Sequence, residues 1–71
     1  MKIYLQDRSG MIELPRDIWV AEIGKGGLIV SSCSVRPYLG EYPTKARALE
    51  ILRDIFEYHR AGKNSYIMPQ E

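Results

Sequence analysis

Ile18-Trp19-Val20-Ala21-Glu22-Ile23-Gly24-Lys25-Gly26-Gly27-Leu28-Ile29-Val30-Ser31-Ser32-Cys33 is the stretch that decides the fold. Two runs rich in β-branched residues, 18–23 and 28–33, flank a glycine cluster in which positive φ costs little, the pattern of a β-hairpin around Gly24-Lys25-Gly26-Gly27. Facing Ile23 with Leu28 sends Trp19, Ala21, Ile23, Leu28 and Val30 to one side and Ile18, Val20, Glu22, Ile29, Ser31 and Cys33 to the other. The first side is the better core candidate. The second is too apolar for a solvated surface and calls for a curled sheet, a covering segment or a partner chain. A phosphate loop is rejected for these glycines, because that motif ends in Gly-Lys-Ser/Thr before a helix, and here a strand follows.

Upstream, residues 2–6 and 11–14 read as a second hairpin turned by Asp7-Arg8-Ser9-Gly10. Setting Gln6 against Met11 pairs Leu5 with Ile12 and Ile3 with Leu14 on a buried side, with Tyr4 and Glu13 on the wet side. Pro15 ends the second strand because it cannot donate to a ladder. Downstream, 34–43 is broken by Pro37, Gly40 and Pro43 and reads as an irregular edge strand or a loop. Thr44 stands where a helix N-cap belongs, although Arg47 occupies the place of a capping-box glutamate. From Lys45 to about Ala61, Ala48, Leu49, Leu52, Ile55 and Phe56 recur at helical spacing, with Arg47, Glu50, Asp54 and Glu57 opposite. This pattern puts Leu52 at the centre of the buried face. Gly62 supplies the stop, and 65–68 reads as a last short strand before Pro69. Sheet and helix each have one apolar face, so the expected fold is α+β: a mainly antiparallel, twisted sheet of about five short strands with one amphipathic helix, about 45–61, packed across it.

The chain has 71 residues, one domain's worth, with 10 Lys plus Arg against 9 Asp plus Glu. A formal charge of +1 provides no field to recruit nucleic acid or an anionic membrane. Cys33 is the single cysteine, so no internal disulfide forms and a reducing cytoplasm is the expected setting. Met1 to Leu5 falls short of a signal-peptide core, and the apolar run 28–35 is far below the roughly 20 residues that span a bilayer.

Chemistry-bearing residues are sparse. His59, the only histidine, lies about one turn past Ile55 and Phe56, and reads as a boundary residue with its ring on the sheet and one nitrogen in solvent. Cys33 has neither a second cysteine for zinc spacing nor the glycines of a nucleophile elbow around it, and reads as a small strand residue. A Cys33/His59 nucleophile and base is the one enzyme site the composition permits. The acidic residues Asp7, Glu13, Asp17, Glu22 and Glu41 are scattered, with Glu13 and Glu22 placed to pair with Lys2, Arg8 or Arg16. Tyr4, Trp19, Tyr38 and Tyr42, together with Arg8, Arg16 and Arg36, would be the surface for weak single-stranded nucleic-acid binding through sheet aromatics.

Ser9-Gly10-Met11-Ile12-Glu13-Leu14-Pro15, Tyr42-Pro43-Thr44-Lys45-Ala46-Arg47-Ala48 and Tyr66-Ile67-Met68-Pro69 together resemble a group of short uncharacterised bacterial proteins linked to phage or mobile elements. The resemblance implies a hairpin, a tyrosine leading into one amphipathic helix and an aromatic-x-x-Pro ending, and carries over no catalytic residue. The expected function is therefore a non-enzymatic interaction module without metal or cofactor. Its expected partner is another protein or a second copy of itself, not nucleic acid and not a membrane. Ile18, Val20, Ile29, Tyr38 and Tyr42 are the candidate contacts.

Overall fold

Gly24 is the residue that sets the central hairpin: its φ of 58° opens a two-residue turn with Lys25, the arrangement that needs glycine at the first turn position. The computed structural model describes residues 1–32 and 38–71. Its elements run β1 (Lys2–Tyr4), β2 (Met11–Glu13), β3 (Ile18–Ile23), β4 (Gly26–Ser31), β5 (Tyr38–Tyr42), α1 (Lys45–Arg60) and β6 (Ser65–Ile67). Two three-stranded sheets result, ordered β2-β1-β6 and β3-β4-β5, so the six strands share two sheets instead of one. All pairings are antiparallel except β1 with β6, which is parallel and reached through α1.

Both hairpins are shifted by two residues from the expected register, the β3-β4 turn shortening from four residues to two and the partner of Met11 moving from Gln6 to Tyr4. Ile23 lies opposite Gly26 and Tyr4 opposite Met11, which leaves every side chain on its expected side because the strand period is two. What changes is which side of the β3-β4 hairpin is inside. Ile29 is fully buried and Ser31 nearly so, with Ile18 and Val20 packed against the same core. Trp19 and Ile23, expected in the core, are 46% and 55% exposed on the outer face, whereas Val30, expected with them, is buried at 7%. Gly27 explains the choice: a Cβ there would sit 2.7 Å from the Ala48 Cβ and 3.0 Å from the Lys45 Cα. Only glycine lets the start of α1 rest on this strand, and it lies on the Ile29 side. Gly27 thus serves helix contact, not the turn.

Thr44 caps α1 as expected, its Oγ1 accepting from the Arg47 N–H at 3.1 Å. At the other end Gly62 takes φ 77°, the Gly62 N–H donates to the His59 carbonyl and the Lys63 N–H to the Tyr58 carbonyl, a Schellman stop. The buried face of the helix is Ala48, Ile51 and Ile55, so Leu52 is only half-buried, and Leu49 and Phe56 are exposed. The core joins both sheets: Ile3, Leu5, Tyr66 and Met68 from the first meet Ile29, Leu39 and Tyr42 from the second beneath α1. Gln6 ties the sheets at an edge. Its side-chain amide donates to the Glu41 carbonyl at 2.6 Å and accepts from the Glu41 N–H at 2.7 Å, and its own N–H donates to the Leu39 carbonyl. The outer edge of β5 is therefore capped.

Candidate interaction surface

Of the expected contact residues, Ile29 and Tyr42 are spent inside the chain: Ile29 has no exposure, and Tyr42 has 2%, its hydroxyl donating to the Pro69 carbonyl at 2.7 Å. Burial pushes that phenol up to about 12, against a smaller pull downward from Arg47 and Arg8. Ile18 and Val20 are half-buried in β3, and Tyr38 is 59% exposed beside Val30 on the outer face. Five residues expected to share one surface are thus divided among core, edge and outer face, because α1 covers the face that the sequence leaves open.

Among the described residues, the fold leaves the far edge of β3 uncovered. Antiparallel ladders alternate, and a two-residue turn makes the flanking pair Ile23 and Gly26 hydrogen-bonded. Ile18, Val20 and Glu22 then direct their N–H and C=O groups away from β4. Among the described residues no strand pairs with this edge. It is six residues long, contains neither proline nor lysine, and its single charge, Glu22, is held at 2.8 Å by Lys45 of the helix. That hydrogen bond keeps the Glu22 carboxyl below its usual range. The other edges are treated differently. Side chains hold the backbone on both β5 and the C-terminal tail, where Arg8 donates to the Met68 carbonyl at 2.7 Å and Arg47 to that of Glu71 at 2.9 Å. β2 and β6 are three residues each.

Beside the open edge runs an apolar shoulder of α1. Lys45, Leu49, Leu52, Phe56 and His59 recur at helical intervals on one flank. This flank faces β3, since Lys45 reaches Glu22 at one end and Phe56 and His59 share a groove with Ile18 at the other. The groove, about 460 Å³, is lined by Leu14, Pro15, Arg16, Ile18, Phe56 and His59. Leu49 is 40% and Phe56 49% exposed. The opposite flank is occupied within the chain: Tyr58 packs edge-on against Tyr66 of the first sheet at 4.8 Å.

A second apolar row, Met11, Tyr4 and Ile67, crosses the outer face of the β2-β1-β6 sheet in direct register. Next to it Lys2 pairs with Glu13 at 2.6 Å, the cross-strand pair expected for Glu13, and this bond holds the Glu13 carboxyl below its usual range. The sheet aromatics do not form one platform: Tyr42 is buried, Tyr4 lies on one sheet, and Trp19 and Tyr38 lie on the other. Cys33 and Arg36 lie outside the described residues. Among the described residues no three His, Cys, Asp or Glu side chains come together as a metal site, and no helix is long and apolar enough to cross a membrane. No protein family model, no curated protein and no solved structure matches this chain.

Proposed function

We propose that the chain is a non-enzymatic interaction module of the cytoplasm that takes up a strand from another polypeptide along β3. The Leu49, Leu52 and Phe56 stripe then covers the inward side chains of the incoming strand. The observation that carries this is the pairing of an uncapped six-residue edge with an exposed apolar helix flank on the same side of the molecule. In strand addition the main-chain ladder supplies affinity and alternate side chains supply specificity, and this site offers both elements. Binding is favoured over turnover by the groove's character, four apolar residues with Arg16 and His59 as its polar members. A single cysteine fits a reducing compartment. The resemblance to proteins of phage and mobile elements is the support for an origin there.

The test is photo-crosslinking in the native host from a photoactivatable residue at Leu49 or Phe56, with Ile67 as the control because it is equally apolar and exposed on the other sheet. Protein adducts from the helix positions and not from Ile67 are expected. No adduct from either helix position, or the same adducts from Ile67, refutes the assignment.

A further inference from the structure

We infer that the strand taken up along β3 is β3 of a second copy of this chain, in a two-fold dimer whose axis passes beside Val20 and Leu52. This rests on the strand-addition surface proposed above and names its occupant. A two-fold axis perpendicular to the sheet keeps outer face with outer face, so residues of like parity must oppose each other, and the axis falls on Val20 or on Ala21. The helix flank decides between them. Lys45 lies over Glu22 and His59 beside Ile18, so the midpoint of the flank, Leu52, lies over the midpoint of these strand residues, Val20. About that axis Val20 pairs with its own copy and Ile18 with the second copy's Glu22. Leu52 then meets its own copy, and Leu49 meets the second copy's Phe56.

The layering agrees with this axis. α1 packs mainly over β4 and β3. An axis beyond β3 therefore sets the two helices on the same face of the joined sheet, with the Leu49, Leu52 and Phe56 flanks turned toward each other. Charge agrees as well, because antiparallel pairing brings Arg16 of one copy toward the second copy's Glu22. One operation caps both β3 edges and covers both helix stripes, so this pairing closes on itself.

Sedimentation of the full chain from low micromolar to near-millimolar concentration tests this, together with Leu52→Glu and, in a Cys33→Ser background, Leu52→Cys. The expected results are a mass twice that of one chain, loss of the dimer in Leu52→Glu with its circular dichroism unchanged, and a disulfide-linked dimer from Leu52→Cys that Glu50→Cys does not form. A monomer throughout overturns the inference, as does a dimer indifferent to Leu52→Glu that forms no Leu52→Cys disulfide. If Leu52→Glu does not fold, the cysteine pair alone decides. The two levels separate cleanly: a monomer that still crosslinks to a different protein from Leu49 or Phe56 loses the second copy and keeps strand addition, whereas no adduct of any kind removes both.

Discussion

Replacing Ile51 by alanine tests the rotation of α1 on the sheets, because a helix turned to put Leu52 at its buried centre would place Ile51 to one side. Ile51 has no exposure, and the substitution removes three buried carbons. At about 0.8 kcal/mol each these contribute roughly 2.5 kcal/mol. The cavity left behind adds on the order of 1 kcal/mol, giving a loss of about 3–4 kcal/mol, inside the usual range for such truncations. A domain of 71 residues has a stability of roughly 4–10 kcal/mol. Ile51→Ala therefore removes roughly a third or more of the folding stability. Leu52→Ala, at a half-buried position, is expected to cost about 1 kcal/mol. Urea unfolding followed by circular dichroism, at a concentration low enough to keep the chain monomeric, reads both. With a slope of about 1 kcal/mol per molar urea, the midpoint falls by roughly 3 M for Ile51→Ala and by roughly 1 M for Leu52→Ala. Equal losses, or a larger loss for Leu52→Ala, would refute the placement of the helix.

Gly27→Ala pushes a methyl against Ala48 and the backbone of Lys45, and should cost about 1–3 kcal/mol or more, read as a lowered melting temperature, whereas Gly10→Ala, which meets nothing within 4 Å, should not. Gln6→Ala removes both bonds to the Glu41 backbone and should cost roughly 1–2 kcal/mol, with faster amide exchange at Glu41 as the specific sign. Burial raises the phenol pKa of Tyr42 to about 12 and that of Tyr66 also upward, so the folded state keeps protons that the unfolded state begins to release near pH 10. Stability is full below about pH 10 and is lost as pH rises through about 12. Tyr42→Phe should make that alkaline decline shallower in unfolding experiments between pH 9 and pH 12, and an unchanged slope would count against the burial.

Local signals in this chain are strong and specify its elements except β5, whose segment reads equally as an irregular edge strand or a loop and forms a strand at Tyr38–Tyr42. The Thr44 cap, the Gly62 stop and the helical spacing between them bound α1 to within a residue of the observed Lys45–Arg60. Gly24 and the β-branched runs around it specify a hairpin whichever residues flank the turn, because period-two alternation survives a shift of two. The proposed interaction surface is legible only in fragments. Ile18 and Val20 lie on the open edge, but Ile29 and Tyr42 are drawn into the core, and Leu49 and Phe56, which helical spacing assigns to the buried face, are exposed on the flank of α1.

Sequence by itself determined the element types apart from β5, their order and the side-chain alternation of the two hairpins, since these follow from backbone sterics and periodicity within a few residues. Tertiary structure alone decided which face of the β3-β4 hairpin is inside, how far α1 is rotated and which strand edge stays open. Both hairpin faces are apolar, and the apolar arc of the helix is wider than the face it buries, so local pattern leaves the choice degenerate. That choice is made where residues far apart in the chain meet, chiefly where Gly27 admits the helix at Ala48 and where Gln6 reaches the backbone of Glu41.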